Sequence, residues 1–335
     1  MLVVSRARKA AGQASFQQSE GKNYIYNGDT SLCQRATNVT GIGNGDSGYH
    51  VQDRYKVGEG GAPNAEVTMT RSTTVPDGFQ YSMLFDCTTA SGTVSAADAI
   101  YFSQLFEGQD LYAWNKGDAQ ARPVTLSFWV NATKTGTYVC SMYDADNGRQ
   151  NSQSYTVSSS NTWEHKSVTF PGDTTGVFDR DNNVSLYIHW ALVAGTDWTS
   201  GTLQEAWASS TTANIFVGQV DALDNTSNNY HITGIQLELG SVATDFQNET
   251  YGKNFLRCAR YYEKRLVGII YGSNNAGGAG YYDYAQWQFK VRKRATPTAT
   301  GHTGTQQQNN VDGASCYNNA SYPSWSASST ADAEL

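Results

Sequence analysis

The sequence predicts an all-β protein, in which an antiparallel β-sandwich is followed by a short helix and a small C-terminal β region. Aromatic residues make up 12% of the 335 residues and glycines number 32, whereas charged residues contribute only 16%. Short stretches rich in β-branched and aromatic residues recur between turns of Gly, Asn, Asp and Ser, which is typical of sandwiches and barrels. The sequence lacks long amphipathic helical patterns between these stretches.

Eleven strands are predicted up to residue 239, each a short run bounded by turn residues. They are 49–57, 65–71, 79–87, 99–106, 124–130, 136–143, 152–158, 164–170, 184–192, 215–220 and 230–239. Further on, an apolar run at 266–272 and an aromatic run at 281–291 flank a glycine-rich turn, which predicts a hairpin. The remainder, 296–335, is so polar that we expect it to bury too little apolar surface alone and to become ordered beside other copies.

In the run from 232 to 265, the spacing of the apolar residues changes from a period of two residues to one of 3.6. The two sides of its predicted strand are Ile232, Gly234, Gln236 and Glu238, and Thr233, Ile235, Leu237 and Leu239. After a break at Gly240, residues at i, i+4, i+7 and i+11 form one helical stripe, which predicts a connecting helix at 249–265. The stripe consists of Tyr251, Phe255, Cys258 and Tyr262, with Asn248 or Thr250 as the cap.

Several runs resemble one protein family. GIQLELGSVATDF (234–246) followed by ARYYEK (259–264), and NYIYNGDTSLCQRAT (23–37), are similar to parts of the carbohydrate-binding-module-like jelly roll of bacteriophage tail and head fibre proteins. DRY at 53–55 and VTLSFWVNA at 124–132 fit the same module. The resemblance covers about residues 23–265. It implies an antiparallel jelly roll at 23–248, the helix at 249–265 and a C-terminal β region at 266–335 that is intertwined in a homotrimer. Residues 1–22 are predicted to form a short helix or loose arm that docks to another virion protein; the alternative is a disordered terminus.

Charge and composition argue against several partners. Nucleic-acid binding needs a basic patch, but the net charge is −7 and the one basic cluster, KVRKR at 290–294, is short. We interpret that cluster as a solvated strand end or an intersubunit ion pair. No run approaches the ~20 apolar residues of a membrane span, and the apolar start of 1–10 is too short for a signal peptide. Five scattered cysteines without a CxxC motif argue against zinc and a disulfide framework, and fit assembly in a reducing cytoplasm.

Two aspartate-rich turns are candidates for a structural calcium site, the one cofactor that we consider. DADNG at 144–148 and DRDNN at 179–183 offer hard oxygen ligands. Neither is an EF-hand, because Gly148 comes one place early and no Glu closes the loop. The alternative is that both are Asp/Asn turns between strands. The candidate ligands are Asp144, Asp146, Asp179 and Asp181.

Aromatic side chains on the outward sides of the predicted strands are candidates for glycan binding. A flat ring offers CH–π contact to a sugar, and neighbouring polar groups can bind its hydroxyls. Strand alternation turns Trp129, Tyr143, Tyr187 and His189 outward. Trp163, Trp198 and Trp207, near loops, are alternatives. The outward face can instead be covered by the helix or by a neighbouring subunit.

The leading hypothesis is a non-enzymatic phage virion structural protein. It would be a tail fibre, head fibre or capsid-decoration subunit, made in the host cytoplasm, that binds other virion proteins and a host-surface glycan. The alternative is a polysaccharide-processing enzyme or its free carbohydrate-binding module. Glycoside hydrolysis needs two carboxylates held about 5–10 Å apart across a cleft. The sequence shows no catalytic signature and no nucleophile-elbow pattern beside its histidines, so we predict no catalytic residues.

Overall fold

The computed structural model describes residues 23–264, 283–318 and 324–335. In these residues the chain forms two large antiparallel sheets packed face to face, followed by a short helix and two three-stranded sheets. The predicted arm at 1–22 and the predicted strand at 266–272 lie outside the described residues.

The sandwich consists of sheet A and sheet B. Sheet A has the order β1-β4-β5-β13-β7-β10, with bounds Asn38–Gly43, Glu66–Ser72, Ser82–Thr89, Asn229–Leu239, Val124–Ala132 and Glu164–Phe170. Sheet B has the order β12-β9-β8-β11-β6-β3-β2, with bounds Ala208–Ser209, Arg149–Val157, Gly136–Asp144, Val184–Ala194, Ala99–Glu107, Lys56–Gly60 and Gly48–Tyr49. From β5 to β8, and again from β9 to β11, consecutive strands change sheet. This arrangement confirms the predicted antiparallel jelly-roll sandwich.

Aromatic side chains from both sheets fill the space between them. Phe85 of β5 stacks on Phe102 of β6, with ring centroids 4.9 Å apart, and Phe102 lies parallel to Trp190 of β11 at 5.1 Å. The hydroxyls of Tyr155 on β9 and Tyr230 on β13 share a hydrogen bond of 2.8 Å across the core. Full burial of such a side chain stabilises the fold by roughly 1.5–3 kcal/mol, so this aromatic layer holds the two sheets together.

Strand β13 contains a bulge at Gly234 that changes the predicted alternation. Its pairing with β7 shifts between Thr233 and Gln236, and Gly234 has φ of +62°. The extra residue reverses the phase, so Ile232 lies in the core together with Ile235 and Leu237. The prediction that Ile232 faces away from those two residues is therefore wrong. A side chain at Gly234 would meet the Phe79 ring, because an added Cβ would lie 2.6 Å from it.

Nine of the eleven predicted strands are observed, with ends within three residues of the predictions. The predicted strand 49–57 is instead split into β2 and β3, because the chain turns at Arg54, which has φ of +74°. The segment 215–220 is not a strand. It follows a 3₁₀ helix at Thr212–Asn214 and brings the buried ring of Phe216 against the outer face of sheet B.

The connecting helix is shorter than predicted. Helix α1 (Thr196–Thr199) is a single turn, and the connecting helix α2 covers only Tyr251–Ala259. Tyr251 is exposed, Cys258 is buried, and Tyr262 lies beyond the helix in β14 (Tyr262–Lys264), so the predicted stripe is not one helical face. Thr250 is the N-cap residue, without a capping hydrogen bond from its side chain. None of the helices in the described ranges is long and apolar enough to cross a membrane.

The C-terminal region forms two small sheets with a core of their own. One sheet has the order β14-β19-β16, in which β19 is Ser324–Asp332 and β16 is Thr298–Thr303. The other has the order β15-β18-β17, with bounds Asp283–Gln288, Gly313–Asn318 and Thr305–Asn309. Trp287 and Trp325, 5.5 Å apart, are buried here with Phe289 and Cys316. The segment 296–335 thus buries its apolar side chains against residues 285–289 of the same chain, and its ordering beside other copies stays a prediction.

Candidate functional site

Four rings form a continuous row on the outer face of sheet B. Register places Tyr187 of β11 opposite Tyr143 of β8, and His189 lies between Ser141 of β8 and Ser103 of β6. The centroid of Tyr187 is 5.9 Å from that of Tyr143 and 5.6 Å from that of His189, and the last two rings are inclined by only 25°. Tyr101 of β6 continues the row, with its ring 4.9 Å from His189. We call Tyr143, Tyr187, His189 and Tyr101 the aromatic row; each is partly exposed.

A loop cluster closes one end of the aromatic row. The ring of Trp198, on α1, lies 6.2 Å from Tyr101 and stacks on Phe216 at 5.8 Å. The indole Nε1 of Trp198 donates a 2.9 Å hydrogen bond to the carbonyl of Ala97, which fixes the ring. The row thus ends at an aromatic wall built from the segment that follows β11.

Hydroxyl and amide groups lie beside the rings. Ser141, Ser103 and Ser152 belong to the same outer face, and the Ser152 hydroxyl donates to the Ser141 hydroxyl at 3.0 Å. The buried His189 Nδ1 and Gln150 Nε2 atoms have no hydrogen-bond partner among the described residues. Buried polar atoms are normally satisfied by protein, water or ligand. The face therefore combines flat, partly exposed rings with buried polar groups beside them.

The aromatic row carries no charge near neutral pH. Burial lowers the pKa of His189 to about 4, so its imidazole is neutral at pH 7. Burial, reinforced by neighbouring Tyr187 and Glu59, raises the pKa of Tyr101. Burial together with Tyr143 also raises the pKa of Tyr187. The rings therefore suit an uncharged ligand surface better than an ionic one.

The structure separates Trp129 from the other three predicted residues. Trp129 is on β7, so it lies on the outer face of sheet A, where its ring is 5.3 Å from His165. Strand alternation predicts which side chains face outward but not which sheet a strand joins. Of the alternative tryptophans, Trp198 lies at the aromatic row. Trp163 lies 5.9 Å from His231 of sheet A, and Trp207 donates to the carbonyl of Pro171.

Tyr101 and its neighbour Ser103 were not among the predicted site residues. The signal was present, because Ile100 and Phe102 are core residues and the alternation in β6 turns Tyr101 and Ser103 outward. The contribution of Phe216 has no such signal, since it depends on a loop folding back over the sheet.

The predicted calcium ligands do not form one set. The buried Asp144 pairs with the Lys116 ammonium, which also lies 3.0 Å from Asp173. Asp146 accepts a 2.9 Å hydrogen bond from the backbone N–H of Asp179, and Asp181 accepts one from Asn183 in its own turn. In the parts of the chain that the structure covers, no group of three or more Asp, Glu, His or Cys is arranged to hold a metal ion. Lys116 supplies the positive charge beside Asp144.

Comparisons with solved structures return matches of low similarity. The enzymatically active domain of bacteriophage CBA120 tailspike protein 4 matches at a TM-score of 0.32 and 14% identity, over 65% of this chain and 21% of the other. TmCBM61, solved with β-1,4-galactotriose, matches at 0.31 and 10% identity, over 65% and 99%. A family 11 carbohydrate-binding module of Clostridium thermocellum matches at 0.30 and 11% identity, over 61% and 95%.

This chain therefore corresponds to about a fifth of the tailspike domain's length. No protein-family model matches the sequence, and no curated protein sequence matches it either. At these scores the structural matches carry no weight for function, which has to be argued from the site itself.

Proposed function

We propose that the aromatic row binds a glycan chain, and that the protein acts as a non-catalytic carbohydrate-binding component. The observation that supports this best is the unbroken line of uncharged rings across three adjacent strands, from Tyr143 through Tyr187 and His189 to Tyr101. Sugar rings present C–H groups to aromatic faces, and their hydroxyls need polar partners. The partly exposed tyrosines of the row carry hydroxyls that can serve as such partners, whereas Ser141 and Ser103, which flank His189, are buried.

The setting that we propose is a phage virion, with the chain as a trimeric tail-fibre, head-fibre or capsid-decoration subunit that contacts a host-surface glycan. Support comes from the runs that resemble phage fibre proteins, because 23–37 and 234–264 pack directly against each other. Asn23 accepts from the N–H of Leu237 at 3.0 Å, and Gln34 donates to the carbonyl of Tyr262 at 2.9 Å. The resembling runs thus form one structural unit rather than scattered similarities.

The test of glycan binding is a glycan array followed by calorimetry with the full chain. Tyr187→Ala, in the middle of the row, is expected to weaken binding by about tenfold or more, the loss of a stacked ring. Two aromatic residues elsewhere provide controls: Tyr112→Ala, at an exposed position, and Trp129→Ala, on the outer face of sheet A. Neither should change affinity. If Trp129→Ala abolishes binding while Tyr187→Ala does not, the glycan site is on sheet A and the proposal is wrong.

The virion setting is tested separately by the mass of the protein in solution. A free carbohydrate-binding module would use the same aromatic row, so glycan binding does not separate the two settings. Light scattering at micromolar concentration should give three times the mass of the 36.5 kDa chain if the fibre proposal holds. A stable monomer would instead favour the free module.

A further inference from the structure

A second concave site lies away from the aromatic row, where helix α2 and the C-terminal region meet the jelly roll. The cavity has a volume of about 730 Å³, which is within the roughly 300–1,000 Å³ typical of small-molecule sites. One wall holds Tyr26 and Phe106 of the jelly roll, with ring centroids 6.1 Å apart. The opposite wall is provided by α2, including the exposed side chain of Leu256, and by the segment after β15. We call this cavity the junction cleft.

Helix α2 presents a basic face to the junction cleft. Lys253, Arg257 and Arg260 are spaced at i, i+4 and i+7, so they share one side of the helix. Arg257 is held by Glu249 at 2.7 Å, and its guanidinium lies 4.6 Å from the centre of the Tyr26 ring. Arg260 makes two hydrogen bonds of 2.7 Å with Glu107. These contacts fix the two guanidinium groups before any ligand arrives.

The cleft keeps positive charge that is not neutralised. Arg292, the fourth cation in the wall, is exposed and forms no salt bridge with any residue in the described ranges. Lys253 pairs with Glu249 through one ammonium contact of 3.0 Å, while its side chain is 67% exposed.

The cleft wall therefore holds four cations: the two fixed arginines described above, Lys253 and Arg292. Three carboxylates lie beside them, those of Asp110, Glu107 and Glu249, so one positive charge remains in excess. The tyrosine hydroxyl of Tyr26 already donates to Asp110 at 2.8 Å. On a chain of net charge −7, such a local positive cleft attracts anions.

We propose that the junction cleft binds an acidic sugar residue, a sugar ring that carries one carboxylate. Its carboxylate pairs with Arg292 and Lys253, because charge-assisted hydrogen bonds to a carboxylate are the strongest that these side chains make. The apolar side of the sugar ring packs against Leu256 and Val291, the aliphatic side chains of the cleft wall. The cleft thereby discriminates by charge, whereas the aromatic row on sheet B is uncharged.

The experiment is an NMR titration of the full chain with three probes: sodium glucuronate, glucose and sodium acetate. Glucuronate should bind at least about tenfold more tightly than either of the others, because only it has both the ring and the charge. Its affinity should fall as salt is raised. If glucose binds as tightly as glucuronate, the proposed role of charge is wrong. If acetate binds as tightly as glucuronate, the cleft is a general anion site and the assignment of a sugar is wrong.

Two variants locate the binding. Arg292→Ala should weaken glucuronate binding by about tenfold, whereas Arg180→Ala, which removes another exposed arginine, should leave it unchanged. Equal affinities of the two variants would overturn the proposal. Tyr187→Ala must also leave glucuronate binding intact, since that ring belongs to the aromatic row. A loss in Tyr187→Ala would place glucuronate at the row and contradict a separate cleft.

Discussion

The unit formed by segments 23–37 and 234–264 differs from the aromatic row in how visible each is in the sequence. The packed segments contain the motifs that resemble phage fibre proteins, yet their polar side chains are hydrogen-bonded inside the fold. Asn27 accepts from the N–H of Leu32 at 2.9 Å, and its amide donates to the carbonyls of Leu32 and Asp53. Few other residue types fit such positions, because a buried side-chain amide needs a hydrogen-bond partner for each of its polar atoms. We call these two segments the packed unit.

The aromatic row consists of ordinary strand residues, and nothing in their spacing marks them as special. Tyr143 and Tyr187 become neighbours only because β8 and β11, far apart in sequence, pair in one sheet. The comparison shows that a recognisable sequence motif can reflect the packing of the fold rather than a binding site. A ligand-binding face, in contrast, can consist of common residues that the strand order brings together. Variants in the two regions should therefore affect different properties.

The largest expected effect is a loss of stability at Arg54, which packs on Tyr261 of the packed unit. Arg54 is fully buried, pairs with Glu334 and has its guanidinium 3.4 Å from the centre of the Tyr261 ring. Arg54→Ala leaves the carboxylate of Glu334 without this partner, which is expected to lower the free energy of unfolding by about 3–5 kcal/mol. Urea denaturation measures this change. Arg180→Ala, at an exposed position, is the control, and a loss below about 1 kcal/mol for Arg54→Ala would contradict the importance of the pair.

The two regions should also respond oppositely to pH. Burial raises the pKa of Asp53, which accepts hydrogen bonds from Gln34 of the packed unit, to about 7. Its stabilising contribution is therefore present below the unfolded pKa of about 3.9 and is lost as pH rises towards 7. Burial lowers the pKa of His189, in the aromatic row, to about 4. Its contribution is present above the unfolded pKa of about 6.5 and is lost as pH falls towards 4.

Single variants separate these two contributions, which amount to up to about 4 kcal/mol for Asp53 and about 3 kcal/mol for His189. We expect urea unfolding from pH 4 to 7 to show, in the unchanged protein, a loss of stability with rising pH that is absent in Asp53→Asn. The loss of stability with falling pH should be absent in His189→Gln. Two variants with the same pH profile would show that the environments of these side chains do not differ as described.

Sequence reasoning recovered most strands because a period of two directly reflects burial on one face. It failed where one residue breaks that period, as at Gly234, or where an unexpected residue turns the chain, as at Arg54. For the candidate site, alternation turned Tyr187 and His189 outward but grouped them with Trp129. Sheet membership depends on long-range pairing, which no local pattern contains. The junction cleft was still harder to predict from sequence, because its walls come from three separate parts of the chain.

A smaller loss of stability is expected from Gly234→Ala in β13. The added methyl would need a left-handed backbone at φ of +62° and would collide with Phe79, which together are expected to cost about 1–3 kcal/mol. Gly41→Ala is a matched control, because Gly41 has φ of +73° and open space around it. Thermal or urea unfolding should show a greater loss for Gly234→Ala. Equal losses would mean that backbone strain alone matters and that the contact with Phe79 relaxes.

The smallest effect is expected at the end of the aromatic row. Tyr143 contacts one ring of the row, whereas Tyr187 lies between two. Tyr143→Ala should therefore weaken binding of a long oligosaccharide by about threefold, less than Tyr187→Ala, and should leave binding of a disaccharide unchanged. Calorimetry with a series of chain lengths measures this difference, with Tyr112→Ala as the control. An equal loss at every length would mean that the ligand does not extend along the row, and the glycan would then have to occupy a single position around His189.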